Sequence, residues 1–168
     1  MFVDINNERR QDVYCFGGIE SNGKPSNKLE TLIFETAKSE GWTSGPEMSL
    51  ARAHFASTSF RGKIYVTGGK SIDGEVLTSV DVLDVGQGNW NLMEGLMNSK
   101  RYYHSCFYAD GFLYLRGGIS KTRIKDWDKH AEEEEKAKTT IEFIGVDMYT
   151  GELKEKFSDY HTSYAVLG

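Results

Sequence analysis

Nowhere in these 168 residues is there a run of the 18 or more apolar residues that a membrane-spanning helix requires. Cysteine is scarce: Cys15 and Cys106 stand far apart inside apolar runs. They read as buried reduced thiols rather than as a disulfide framework or a zinc site. Positive charge is not in excess, because 20 Lys and Arg face 25 Asp and Glu, a formal net charge of −5. The broad basic footprint that phosphate-backbone binding demands is therefore missing, and no nucleic-acid partner is expected. The opening MFVDINNERR lacks an apolar core of signal-peptide length, which together with the two thiols leads to the expectation of a cytoplasmic protein. Catalytic patterns are absent as well. His54, His104, His130 and His161 fall in no helical or zinc-ligand spacing, and there is no Gly-x-Ser-x-Gly elbow and no paired-cysteine motif. No catalytic residue, metal or cofactor is expected.

What is present is globular and repetitive. Apolar residues make up 39 % and charged residues 27 %, and a chain of this length builds one core without covalent staples. Val13-Tyr14-Cys15-Phe16-Gly17-Gly18 returns as Ile64-Tyr65-Val66-Thr67-Gly68-Gly69 and again as Leu113-Tyr114-Leu115-Arg116-Gly117-Gly118, at steps of 51 and 49 residues. Met48 and Met97, Arg52 and Arg101, Gly62 and Gly111, and Tyr65 and Tyr114 keep the step of 49, while Trp42 and Trp90 are 48 apart. Within a period, alternating or continuous apolar runs bounded by Gly, Asn, Asp and Ser predict four short antiparallel strands. For the second unit these fall at about 52–60, 63–68, 77–84 and 89–93, and for the third at 101–109, 112–117, 139–147 and 152–157. A four-stranded unit cannot bury either face alone, so units stack as blades about an axis.

These residues resemble the kelch repeat, which is about 50 residues long. Its pattern is an Arg opening the first strand, an aromatic in the second, a Gly-Gly doublet and a Trp beginning the fourth. Arg52, Tyr65, Gly68-Gly69 and Trp90 fulfil it; Arg101, Tyr114 and Gly117-Gly118 repeat it, with Leu153 where the last Trp would stand. The fold implied is all-β, an incomplete ring of about three kelch-type propeller blades: units at about 12–49, 50–98 and 99–157, and another strand beginning at 159–168. Only twelve residues, MFVDINNERR and Gln11-Asp12, precede Val13, so the first unit is expected to begin at its second strand. Propellers close with four to eight blades, so this is read either as a segment of a longer propeller or as half of a homodimer closing a six-bladed ring. The doublets are expected to place backbone at φ > 0, and the Tyr and Trp columns to pack at blade interfaces.

The resemblance implies a non-catalytic protein-interaction module. Kelch relatives bind protein or peptide partners, some as ubiquitin-ligase adaptors beside BTB or F-box modules and some on actin, and neither module is found in these residues. The partner face carries the connections between second and third strands and those between blades. By position it offers Arg52, His54, Arg101 and Tyr103, with Lys70 beside them; the alternative for Arg52 and Arg101 is a structural bond to neighbouring carbonyls. A charged insertion at 119–138, with Glu132 to Glu135 consecutive, adds Trp127 as an anchor. The competing reading is a fragment of a kelch-propeller enzyme or of a metal-dependent specifier-type protein. Asp126 and His130 match half of the specifier pattern Glu-x3-Asp-x3-His, but Thr122 takes the Glu place.

Overall fold

The computed structural model describes residues 2–4, 11–33, 41–120 and 141–154, with the backbone alone described at 2–4 and 11. Among the described residues it is all-β, without a helix. The first sheet holds β1 (Phe2–Asp4), β2 (Gln11–Phe16), β3 (Leu29–Ile33) and β4 (Trp42–Ser44), ordered β1-β2-β3-β4 and antiparallel throughout. After β5 (Arg52–Ala53) come β6 (Ala56–Phe60), β7 (Lys63–Thr67), β8 (Lys70–Ser71), β9 (Val80–Asp84) and β10 (Asn89–Met93). Strands β6, β7, β9 and β10 make the second sheet, while β5 and β8 pair as a separate ribbon. The third sheet is β11 (Ser105–Ala109), β12 (Phe112–Arg116) and β13 (Ile141–Gly145). Among the described residues its fourth place holds one bridge, Val146 to Leu153, at the residue that stands for the missing Trp, and 155–157 of the expected fourth strand lie outside the described residues. The sheets do not close on one another: this is a partial β-propeller.

Two expectations about the strands are corrected. The first unit does not begin at its second strand, because β1 already lies beside β2, with Phe2 opposite Val13. The short apolar pair Phe2-Val3 was too small a signal to stand out in the sequence. The first strands of units two and three are not continuous either. His54 (φ 58°) and Tyr103 (φ 56°) take left-handed backbone and divide each into an Arg-bearing segment and an inner strand. The chain has to turn there from the connection between blades into the sheet. The insertion beyond Ser120, with Trp127, and the segment 159–168 lie outside the described residues.

The cores sit between blades rather than within them. Tyr14, Leu29 and Met48 pack on Ile64, Val66 and Leu83 of the second blade. Tyr65, Val82 and Met97 pack on Leu113, Leu115 and Ile144 of the third. Strand alternation explains the arrangement, since Tyr65 points to one side of β7 and Ile64 and Val66 to the other. Strand β7, buried on both faces, is therefore half of two cores. Trp90 joins the first interface, its indole edge-on to Phe16 at 5.9 Å and its Nε1 donating to the Pro46 carbonyl at 2.8 Å. Trp42 departs from the expected packing role: it is 52 % exposed, because no described blade precedes the first to receive it. Cys15, expected to be buried, is exposed for the same reason. Cys106 is half-buried, and burial pushes its thiol up to about 12.

All six doublet glycines have positive φ, as expected. What the second glycine faces differs between blades. A Cβ on Gly69 would lie 2.7 Å from the Ala53 carbonyl oxygen and 3.0 Å from Phe55 Cβ, whereas one on Gly18 meets nothing within 4 Å. Gly18→Ala should therefore cost only its backbone strain, about 1–2 kcal/mol. Gly69→Ala should add a backbone collision and cost about 3 kcal/mol or more. Urea midpoints of the two variants test this, and equal midpoints would show that the collision decides nothing.

Candidate partner-binding face

The connections between blades are stitched by backbone bonds that repeat with the sequence. Gly18 N donates to Arg52 O at 3.0 Å, and Gly69 N donates to Arg101 O at 2.9 Å. Arg52 N reaches back to Ser26 O of the first blade at 3.0 Å, and β5 pairs with β8, setting Arg52 opposite Ser71 and Ala53 opposite Lys70. In the third blade the ribbon shrinks to a bridge, Tyr102 to Ile119. The ribbons thus tie each inter-blade connection to the loop that follows the doublet, on one end of the sheets.

Within this frame the two arginines point inward. Arg52 is 0 % exposed; its guanidinium donates to the carbonyls of Gly68 (3.1 Å) and Ser79 (3.4 Å) and to Ser79 Oγ (3.2 Å), with Asp81 at 3.9 Å. Arg101 repeats the arrangement on the Gly117 carbonyl (2.9 Å) and the Glu142 carboxylate (3.2 Å). Their assignment as partner contacts is corrected in favour of the structural alternative, because no ligand reaches a buried, hydrogen-bonded guanidinium. The acidic partners were missed in the sequence reading. Asp81, the partner of Arg52, lies 12 residues beyond its doublet, and Glu142, the partner of Arg101, occupies the same strand register after the insertion. A lone carboxylate inside the apolar runs of β9 and β13 was the available signal. Asp81 also accepts from Ser49 N (3.0 Å) and Ser49 Oγ (3.1 Å), and Glu142 accepts from Asn98 N, so each carboxylate fastens the connection leading into its own blade.

His54, Tyr103 and Lys70 come together at the surface. The left-handed turn at His54 puts its ring 4.4 Å from that of Tyr103, and Tyr103 N donates to His54 O at 2.9 Å. Lys70 Nζ sits 3.9 Å over the Tyr102 ring, a cation held on an aromatic face. Tyr103 is 61 % exposed. Partial burial first, and then the Lys70 charge, hold the His54 imidazole below its ordinary pKa, so it is neutral near pH 7. Left-handed backbone in residues as large as His and Tyr costs of order 1–3 kcal/mol and is typical of sites that present side chains. Among the described residues no group of three or more His, Cys, Asp or Glu is placed to hold a metal ion.

The arrangement can be compared with known proteins. The Kelch motif matches residues 51–97, spanning Arg52, the second doublet and Trp90. The chain is built of kelch repeats. Among the relatives of this kelch chain, an F-box/kelch-repeat protein of Arabidopsis thaliana is 35 % identical over 105 residues, 61 % of this chain and 27 % of the relative. Kelch-like protein 41a of Danio rerio is 32 % identical over 114 residues, 68 % of this chain and 18 % of the relative. Alpha-scruin of Limulus polyphemus is 28 % identical over 121 residues, 70 % of this chain and 13 % of the relative. The matches thus span about a quarter or less of these relatives.

His104, which follows Tyr103, has a different task. It is buried between the second and third blades, with Nε2 2.8 Å from Thr67 Oγ1. Because Thr67 Oγ1 donates to the Ala56 carbonyl, the ring donates from Nε2 and Nδ1 carries the lone pair. Burial, reinforced by the Arg101 charge, depresses its pKa to about 3. The unfolded chain binds this proton near the ordinary 6.5, so the kelch chain should lose stability as pH falls from about 6.5 towards 3, by a few kcal/mol, with no change from this group above 6.5. The check is the acid slope of chemical stability in wild type against His104→Gln. A wild-type slope no steeper than the variant's would contradict it.

Proposed function

We propose that this kelch chain is a non-catalytic binding module whose partner is a protein segment received by the surface of His54, Tyr103 and Lys70. The observation that carries the reading is the pair of left-handed residues, His54 and Tyr103, 49 residues apart in the repeat and touching at 4.4 Å. Backbone strain is spent there on presenting two rings side by side on a rigid support. The surface combines a neutral imidazole, an exposed phenol and an ammonium held in place by an aromatic ring. That chemistry suits a peptide bearing an acidic side chain beside an apolar one, the acid meeting Lys70 and the apolar group lying on Tyr103. The two free thiols fit a reducing, cytoplasmic setting.

The test is a peptide display selection on the purified chain, followed by affinity measurement of the selected sequences on wild type and on the triple variant His54→Ala, Tyr103→Ala, Lys70→Ala. Acidic, apolar peptides that lose tenfold or more in affinity on a variant with unchanged chemical stability support the proposal. Equal binding to both proteins overturns it.

A further inference from the structure

The tyrosine column has three members, and the structure covers two of them. Tyr14 is buried against the second blade and Tyr65 against the third. Tyr114 stands on the far side of the third blade, where the strand register aligns it with Phe107 on β11 and Phe143 on β13. The Phe107 ring stacks on it at 4.9 Å and the Phe143 ring meets it edge-on at 5.0 Å, leaving Phe107 50 % and Phe143 39 % exposed. A row of three large rings on a sheet face is a surface made to be covered.

The first blade shows the other half of the same joint. Val13, Cys15 and Leu32 each lie 51 residues before Ile64, Val66 and Leu83, the side chains that receive the Tyr14 face in the interface between blades one and two. Val66 is 0 % exposed, whereas Cys15 is open to solvent. Trp42 likewise holds the place of Trp90 without the blade that Trp90 leans on.

We propose that these two surfaces meet in a second copy of this chain, blade three of one copy packing on blade one of the other, so that two head-to-tail joints close a six-bladed dimer. Three features of the two faces argue for this occupant. The contact continues the joints already present inside the chain, with the same columns on both sides. The volumes match: the aromatic row is bulkier than Thr58, Tyr65 and Val82, which hold the same register in the second blade, and Val13 and Cys15 are smaller than Leu113 and Leu115, which receive that blade, while Leu32 equals Ile144 in size. The rim matches as well. Trp90 lies against Phe16, and the residue in the Phe16 place of the third blade is Arg116, an exposed cation. Across the new joint Trp42 of the second copy would lie on this guanidinium, a favourable cation–π pair. Such head-to-tail joints either close or run on as filaments, and two sets of three blades give a number within the range at which propellers close.

The experiment is light scattering of the purified 168-residue chain combined with maleimide labelling of Cys15. Wild type should run at twice 19.0 kDa, with Cys15 protected. Phe107→Asp with Phe143→Asp should run at 19.0 kDa, with Cys15 labelled at least tenfold faster. Arg116→Glu, a change at an exposed site outside the aromatic row, should weaken the dimer about tenfold by the loss of one rim contact, with unchanged far-ultraviolet dichroism. A wild-type monomer with open Cys15 overturns the proposal and assigns the aromatic row to a blade outside these residues. A dimer that survives the double Asp variant, or an open-ended series of larger assemblies, overturns it too.

Discussion

Replacing Arg52 by alanine is expected to remove about 3–5 kcal/mol of stability, the range for taking one partner from a buried ion pair. Both side chains of the Arg52–Asp81 pair are fully buried. Without the guanidinium the carboxylate keeps its two bonds from Ser49 but no longer has a positive charge near it. The carbonyls of Gly68 and Ser79 lose a donor in the same step. The variant Arg52→Met with Asp81→Leu separates these effects, because it removes both charges while keeping the volume filled. It should be clearly more stable than Arg52→Ala, although the Ser49 donors lose their acceptor. Urea denaturation gives the comparison. A double variant as unstable as the single one would mean that the stranded charge is not the cause. Arg101 and Glu142 repeat the pair in the third blade, so Arg101→Ala should behave alike.

Tyr65→Ala is expected to cost a similar amount, about 3–5 kcal/mol, as for other large aromatic truncations in cores. The reason is position. Tyr65 is fully buried, packs on the third blade through Leu113 and Leu115, and donates its hydroxyl to the Gly151 carbonyl. Its removal opens the interface between two blades rather than a hole within one sheet. Burial also pushes the phenol pKa up, so the hydroxyl stays protonated as a donor across the ordinary pH range. Tyr65→Phe keeps the packing and loses the hydrogen bond, for about 0.5–1.5 kcal/mol. Thermal or urea unfolding of the two variants measures the split. A loss of only about 1 kcal/mol for Tyr65→Ala would argue that the interfaces are not the cores of this protein.

The hairpin turns were legible residue by residue. Arg61-Gly62 and Asp110-Gly111 carry positive φ at both residues, as two-residue connections between antiparallel strands require. Strands β7, β10 and β12 fall within a residue of their expected bounds, because apolar runs ending at Gly, Asn or Asp carry their own stop signals. The start of β9 at Val80 rather than 77 was not legible. Leu77 N and Ser79 O are taken by Gly69 O and Gly68 N, bonds that bend the chain around the doublet before pairing with β7 begins. Of the residues expected on the partner face, His54, Tyr103 and Lys70 come together at the surface, whereas Arg52 and Arg101 are buried.

What the sequence determined by itself was the repeat: its period, its strands and its glycine turns, all set by local backbone preference and by side-chain alternation that any stretch of chain displays. Tertiary structure decided which residues of a shared column are buried. Trp42 and Trp90 share one column, as do Cys15 and Val66, yet Trp42 and Cys15 are exposed whereas Trp90 is partly and Val66 fully covered. Whether a neighbouring blade is present sets that difference, and no local pattern encodes it. The same holds for Arg52. An arginine at the head of a strand can face a ligand or turn inward, and the choice fell to Asp81, a carboxylate 29 residues away that only the folded sheet brings within 3.9 Å. A buried charge needs its counter-charge, and in this fold the counter-charge comes from the third strand of the same blade.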